Sequence, residues 1–587
     1  MVIAAPPRPR ELRGRRAVWR IAEPLDPAVV QNVPSVSRMV GHLLFQRGIA
    51  DPQEMATFLS GPPPEHDPRL LPDIEAAAER IRRAAQERER VAIWGDFDCD
   101  GLTASAILQE AFRILHIEPV VIIPTRDDGH GPSGDRLREL AAGGVTLLVT
   151  ADCGIADLAA LAAGQDAGLD LIVTDHHQPH ADGTLPPGLV VSPTRRDAAY
   201  PFQGLSGAGV AYKLAQVLLE SPDRYLQLLD LAAFGTIADV VPLQDENRAL
   251  VMAGLEGLRS TRRCGLRALF SVAGIEPSRI DAGSVGWYLG PRINAANRIA
   301  DPAIAFELIT TLDAVRAQRL AEQLDAHNDL RQTQVAAAVE EAVEIMGAPA
   351  EATVDIREGR RPPIACVSGS WGPGISGLVA SSLVERYGVP ALAASPRKDG
   401  RISASGRSIR GVNILEILEA ASADRPEAFL GFGGHSMACG FITTRERLPE
   451  AFAAVEAVAR SRVPVDDLGI TMSIDAQVRL HQLDLRAVEQ IESLAPYGQA
   501  FPEPRFLACG IYLRGRRPFG ADGRHLKMTA CSGDQRVSAI CFSCSRELRD
   551  FPEDQPLDLA IALVRDERNG ASRPQIRIED WRPHQED

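Results

Sequence analysis

Four short apolar runs in this chain each end in an acid, and that pattern restricts the fold more than any other feature. Val91-Ala92-Ile93-Trp94 leads into Gly95-Asp96-Phe97-Asp98-Cys99-Asp100-Gly101, and Thr146-Leu147-Leu148-Val149 into Thr150-Ala151-Asp152-Cys153-Gly154. Leu171-Ile172-Val173 leads into Thr174-Asp175-His176-His177, and Leu231-Ala232-Ala233-Phe234-Gly235-Thr236-Ile237 into Ala238-Asp239. A short apolar run between helical segments reads as a buried parallel strand. Parallel strands of one sheet end on the same side, where open α/β sheets bind their ligands. The pattern therefore predicts that the acids and both histidines converge on one small volume. So many carboxylates beside imidazoles need cations to sit together. The expectation is a two-metal site, whose usual chemistry is phosphoester hydrolysis.

The rest of the chain bounds this reading. At 587 residues it exceeds a single core, so several domains are expected. With 45% hydrophobic and 24% charged residues it has the composition of a soluble globular protein. No apolar stretch has the length of a membrane helix, and the N-terminus lacks the order of a signal peptide, so the expected location is cytoplasmic, without a membrane partner. The net charge of −15 argues weakly against nucleic acid, but acids that ligate metal would be neutralised in place. Lys213, Lys398 and Lys527 are the only lysines; every other base is arginine, which binds phosphate bidentately. Nine cysteines, an odd number, fit a reducing compartment. Cys541 and Cys544 form a Cys-x-x-Cys pair, but no second pair at zinc spacing accompanies it.

Along the chain, residues 1–70 read as an N-terminal extension with one helical patch, Val36 to Leu59, closed by Gly61-Pro62-Pro63-Pro64. Residues 71–320 read as a parallel α/β catalytic domain with a helical continuation, and 321–346 as a connecting helix within the Pro- and Gly-free stretch Ala314 to Met346. Residues 347–462 read as a second α/β domain, and 463–587 as a small β-barrel.

Several local motifs fit the chemistry. Asp96, Asp98 and Asp100 alternate after a buried run and precede a helix; a solvated helix-capping turn would look similar. Asp175-His176-His177 adds imidazole, which suits Mn²⁺, whereas all-oxygen donors favour Mg²⁺. Asp152 and Asp239 taken singly read equally well as helix caps. Gly290 to Arg298 reads as a turn-prone segment that offers Arg292 and Arg298 to phosphates or serves as a hinge. Ser405-Gly406-Arg407 and Gly433-Gly434-His435 read as glycine loops suited to gripping phosphate, although such loops are commonly only turns. Arg514 to Phe519 combines base and aromatic in the β module and suits a single strand, or a solvated loop.

In this order the motifs resemble the DHH phosphoesterase superfamily, and within it the RecJ family of bacterial single-strand exonucleases. The likeness is carried by Asp96-x-Asp98-x-Asp100-Gly101, by Ile123-Pro124-Thr125-Arg126, by Asp152 and by Asp175-His176-His177. Gly235 to Leu243, Gly290 to Ala296, Ser405-Gly406-Arg407, Gly433-Gly434-His435, Pro496-Tyr497-Gly498 and Pro502-Glu503-Pro504 extend it. His130, Asn297, Gly372 and Gln499-Ala500-Phe501 depart from the usual family residues. The resemblance implies a DHH domain, a DHHA1-type domain and an OB-like domain. It implies 5′-to-3′ hydrolysis of single-stranded DNA to mononucleotides in DNA repair and recombination. Two divalent cations, Mn²⁺ or Mg²⁺, would be held by Asp98, Asp100, Asp152, His176 and Asp239, with Asp152 bridging. Asp96 is either a further ligand or a group that orients one. His177 would face the scissile phosphate. Arg126, Arg292, Arg298, Ser405, Gly406, Arg407, Gly434 and His435 would grip the 5′ end and backbone, in a cleft between the two α/β domains. Implied partners are single-stranded DNA, a single-strand-binding protein and a helicase. Two alternatives remain: a DHH phosphodiesterase for oligonucleotides or cyclic dinucleotides, and a non-catalytic scaffold paralogue.

Overall fold

The computed structural model describes residues 10–24, 36–126, 128–129, 131–349, 355–356, 358–464, 468–520, 523–567 and 571–585, so His130 lies outside the described residues. The chain divides into two units: Gly61–Gln332 with Pro496–Pro502, and Met1–Ser60 with Thr333–Ala495 and Glu503–Asp587. Strands β1 (Arg10–Arg13) and β2 (Val18–Ile21) pair antiparallel and belong to the latter. The helical patch expected from Val36 to Leu59 is two helices, Arg38–Gln46 and Pro52–Ser60. Gly48, at φ +86°, breaks it.

In the unit Gly61–Gln332, helix α1 (Ile74–Glu87) buries Ile74, Ala77, Ala78, Ile81 and Ala84, a spacing of three and four that makes one apolar face. Strands β3 (Val91–Gly95), β4 (Val120–Ile122), β5 (Leu147–Ala151), β6 (Asp170–Thr174) and β7 (Leu189–Val191) form a parallel sheet in the order β4-β3-β5-β6-β7. β3 and β5 are buried along their whole length, which is why they read as unbroken apolar runs. The strand order reverses between these two, so the ligand crevice lies beyond their carboxyl ends.

The fourth apolar run, Leu231 to Ile237, is not a strand as its sequence suggests but part of a helix. Helices α2 (Cys99–Ile114) and α3 (Gly207–Leu219) pack against α4 (Leu229–Ala238), as does α5 (Asp245–Arg259). Every residue of α4 from Leu229 to Ile237 is buried. A helix enclosed on all sides has no polar face, so its period of 3.6 vanishes and a short stretch of it looks like a buried strand. Gly290 to Arg298, expected as a turn, is helix α6 (Gly290–Ile299); Pro291 stands in its first turn, where a missing N–H costs nothing. Helix α7 (Ala314–Met346) runs unbroken for 33 residues.

In the other unit, helix α8 (Pro373–Tyr387) packs on a sheet of β8 (Ala365–Ser368), β9 (Ala391–Pro396), β10 (Ile402–Arg407), β11 (Gly431–His435) and β12 (Ala438–Thr443). Its order is β11-β12-β10-β9-β8, and only β8 and β9 run parallel. Ser405-Gly406-Arg407 and Gly433-Gly434-His435 are therefore strand residues, not loops. Gly406 serves packing rather than turning: a Cβ there would lie 2.8 Å from Cys439 Sγ and from a Leu392 methyl.

Strands β13 (Thr471–Ile474), β14 (Ala476–Val478), β15 (Phe506–Phe519), β16 (His525–Ser532), β17 (Gln535–Cys541), β18 (Leu557–Asp566) and β19 (Arg573–Pro583) complete this unit. The order β15-β16-β17-β19-β18 closes through β15–β18 pairing into a five-stranded barrel. Arg514 to Phe519 is the far end of β15, with a bulge between Arg514 and Arg517. β13 pairs with β2, so residues 10–21 belong structurally with the barrel. Trp19 is buried there among Ile474, Leu507 and Ala560. No described helix is long and apolar enough to cross a membrane.

Candidate metal centre

The predicted convergence occurs. Asp96 follows β3, Asp152 follows β5 and Asp175 follows β6, while Asp239 closes helix α4. Asp98 caps α2, its Oδ1 accepting from the N–H groups of Asp100 (3.0 Å) and Gly101 (3.2 Å). The capping role weighed against metal binding is thus real, but it belongs to only one of the three acids. Asp100 lies inside the first turn and is buried. Its oxygens accept from the N–H groups of Gly207 (2.6 Å) and Ala208 (2.9 Å) at the start of α3.

His176 is the hub. Its Nε2 lies 3.2 Å from Asp152 Oδ1, 3.7 Å from Asp239 Oδ2 and 3.9 Å from Asp100 Oδ2. Three overlapping sets could each hold an ion: Asp100, His176 and Asp239; Asp152, His176 and His177; and Asp96, Asp98 and Asp152. Asp152 belongs to two of them and His176 to two. Asp152 adopts φ +64°, a left-handed conformation costly for a side-chain-bearing residue and concentrated at functional sites. A Cβ at Gly207 would stand 2.4 Å from its Oδ1, so only glycine fits there.

The electrostatics express crowding. Burial pushes the Asp152 carboxyl well above its ordinary range, and the Asp100 charge adds to this. Burial and Asp100 push Asp239 up likewise. Burial raises Asp100 despite the pull of His176 and two N–H donors. His176 is raised, because Asp239 and Asp100 outweigh a burial that would lower it. Burial would lower His177, but its hydrogen bond to Asp175 lifts it to about 9. Asp175 shows the reciprocal effect: burial would raise it, and that bond brings it down to about 2.

These residues fit a cation on two counts. Asp152 Oδ1 and His176 Nε2 are buried without a hydrogen-bond partner, an expensive condition that a metal bond relieves. The donor set is also mixed oxygen and imidazole nitrogen, which suits Mn²⁺ and admits Mg²⁺.

His177 is held differently from His176. Its Nδ1 lies 2.7 Å from Asp175 Oδ1, and its backbone N–H donates to the same oxygen at 3.0 Å. Asp175 Oδ2 accepts from Ile155 N–H at 2.9 Å, so the carboxylate is fixed on both sides.

The residues expected to grip substrate divide between the units. Arg126 stacks over Phe97 at 4.9 Å and donates to Asn297 Oδ1 at 3.2 Å. Arg292 pairs with Asp325 at 2.8 Å, and Arg298 stands in the last turn of α6. Ser405, Gly406 and Arg407 lie on β10, and Gly434 and His435 on the exposed strand β11. Burial lowers the Arg407 pKa, and its Nη1 donates to the Gly406 carbonyl at 2.8 Å.

Sequence reasoning missed four supports of this site. Asn294 Oδ1 accepts from Cys99 N–H (2.9 Å), and Asn297 Nδ2 donates to the Phe97 carbonyl (3.2 Å), so α6 braces the aspartate loop. Gly207 and Ala208 supply the N–H donors to Asp100 described above. Ser206 before a Gly-Ala-Gly helix start was the available signal for those donors. The asparagines stood out in the motif from Gly290 to Arg298 as candidate phosphate contacts, but their bracing role was not legible, because their partners lie about 200 residues away.

Known proteins resemble this chain along most of its length. Family models match at three places: the DHH family, N-terminal domain, over residues 90–236; the DHHA1 domain over 363–461; and the RecJ OB domain over 474–580. The chain is 32% identical over 572 residues to the single-stranded-DNA-specific exonuclease RecJ of Bacillus subtilis, spanning 96% of this chain and 70% of that one. It is 33% identical over 565 residues to the enzyme of that name from Dickeya dadantii, spanning 93% and 96%. The crystal structure of RecJ with Mn²⁺ from Thermus thermophilus matches with a TM-score of 0.80 at 29% identity, spanning 97% of this chain and 80% of that one.

Proposed function

The chain belongs to the RecJ family of single-stranded-DNA-specific exonucleases, and on that premise we propose that it hydrolyses its strand from the 5′ end by a two-metal mechanism. The observation that carries the proposal is the cluster of Asp100, Asp152, His176 and Asp239, in which the buried Asp152 Oδ1 and His176 Nε2 face each other without hydrogen-bond partners. Asp98, Asp100, Asp152, His176 and Asp239 would hold two divalent cations, Mn²⁺ by preference or Mg²⁺, with Asp152 bridging and Asp96 beside them. Cations held there would activate the attacking water and offset charge growing on the phosphate.

The protein's own groups do the rest. The Gly207 and Ala208 N–H groups hold both Asp100 oxygens in place. Asp175 fixes the His177 ring through Nδ1, and the ring donates from Nε2 to the scissile phosphate. Arg126, Arg292, Arg298, Ser405, Gly406, Arg407, Gly434 and His435 bind the 5′ end and backbone. Products are mononucleotides, and the setting is cytoplasmic DNA repair and recombination. A single-strand-binding protein and a helicase are the partners to test first. The match to a RecJ OB domain speaks against a phosphodiesterase for short or cyclic dinucleotides.

The test uses one strand labelled at either end, with Mn²⁺, Mg²⁺ or chelator. Labelled mononucleotide should appear at once from the 5′-labelled single strand and late from the 3′-labelled one, with neither released under chelation. Immediate release from the 3′ label, or full activity in chelator, would overturn the proposal.

A further inference from the structure

The most exposed aromatic pair among the described residues lies on a turn packed against the residues that precede Asp239. Trp287 is 81% exposed and Tyr288 more than half exposed, in a single wide turn, Val285–Leu289, that hydrogen-bonds in the π-helical manner. Such turns recur at functional sites. Val285 and Leu289 are fully buried and anchor the turn at both ends. Asp281 and Ser284 cap the helix leading into it, the Ser284 N–H donating to Asp281 at 2.6 Å. The turn packs on helix α4: a Cβ at Gly290 would lie a tight 3.3 Å from Ala238, and one at Gly286 would make ordinary contact, 3.8 Å, with Ile237. Ile237 and Ala238 immediately precede Asp239. On the other side, Arg292 Nη1 donates to the Tyr288 carbonyl at 2.8 Å. Two rings thus stand in solvent on a turn anchored at both ends, which packs on the end of α4 that leads into Asp239 and is held by Arg292, itself paired with Asp325.

We propose that Trp287 and Tyr288 form a stacking platform for bases of the single strand beside the metal centre. The inference rests on single-stranded DNA being the substrate. Large aromatic side chains are normally buried, and a pair left exposed beside a reaction centre marks a contact surface. A base offers a flat π-face whatever its identity, so stacking holds a strand without reading its sequence. Duplex DNA keeps its bases stacked on one another and cannot use the platform. Membership of a single-stranded-DNA-specific exonuclease family favours nucleic acid over a protein partner as the occupant.

The experiment exploits tryptophan content. The chain has five tryptophans, and the other four, Trp19, Trp94, Trp371 and Trp581, are buried. The full chain, with metal chelated to prevent hydrolysis, is titrated with oligo-dT while tryptophan emission is followed. Affinity is read separately from the anisotropy of a labelled strand. Oligo-dT should quench the unsubstituted protein. Trp287→Phe should lose the quench yet bind nearly as tightly, because a ring remains. Trp287→Ala and Tyr288→Ala should each raise the dissociation constant about tenfold. The platform is overturned if the quench persists in Trp287→Phe. It is also overturned if both alanine variants bind the strand as tightly as the unsubstituted protein while degrading it normally; the patch would then serve a protein partner. If the unsubstituted protein with Mn²⁺ neither binds nor degrades single strands, the substrate reading itself fails and the inference falls with it.

Discussion

At Asp152, three costs are concentrated in one residue: a left-handed backbone, a buried carboxylate, and the nearby charge of Asp100. A residue under such strain persists because its surroundings hold it, and it is the one expected to bridge two ions. Asp152→Asn should therefore remove hydrolysis, by about a thousandfold or more if one ion's several kcal/mol of stabilisation is lost. The same substitution relieves repulsion in the metal-free protein. Its melting temperature without metal should match or exceed that of the unsubstituted chain, while the rise on adding Mn²⁺ shrinks. Near-normal activity in this variant would refute the assignment. The two histidines should separate in a different manner. His176→Ala should weaken Mn²⁺ binding and rate together, since Nε2 faces three carboxylates. His177→Ala should lower the rate at saturating Mn²⁺ with little change in metal affinity. Metal titration of both decides this; equal losses of affinity would make His177 a ligand as well.

At the scale of elements, the α4–α5 pair governs where Asp239 sits, and two glycines of α5 offer an internal control. Replacing glycine by alanine inside a helix ordinarily stabilises by about 0.5–1 kcal/mol. Gly257→Ala should show that gain, because its nearest contact would be Asp230 Cβ at 3.5 Å. Gly254→Ala should instead destabilise, by about 1–3 kcal/mol, because its Cβ would stand 2.3 Å from Ala233 Cβ and 2.4 Å from the Leu229 carbonyl. Calorimetric melts of the two variants should move in opposite directions. The same helix pair shows what could and could not be read beforehand. β3, β5 and β6 were legible, since each is a short apolar run between helical segments and ends in an acid. α4 was not, because complete burial erased the periodicity that distinguishes helix from strand. That error was harmless to the site: either element would deliver Asp239 to the same crevice. The glycines of β10 and β11 misled for a related reason. Gly406 is there for close packing and not for a turn, and only the neighbouring strand reveals that.

At the scale of the whole molecule, segments more than 560 residues apart meet at Asp580. Asp580 is buried and accepts from Trp19 Nε1 (2.9 Å) and from the N–H groups of Arg16 (3.1 Å) and Ala17 (3.1 Å). Asp580→Ala would leave buried donors unsatisfied and should cost roughly 1–3 kcal/mol, loosening β1 and β2 from the barrel. Limited proteolysis should then cleave near residues 10–21 before any other folded segment; unchanged protection would show that apolar burial of Trp19 alone suffices. The arrangement also sets a schedule for the newborn chain. Trp19 leaves the ribosome well before its partner Asp580, which is made 561 residues later. At roughly 5–20 residues per second, that interval is about half a minute to two minutes. Throughout it, Trp19 lacks the partners that bury it in the folded chain, so residues 10–21 are a segment on which chaperones are expected to act during synthesis.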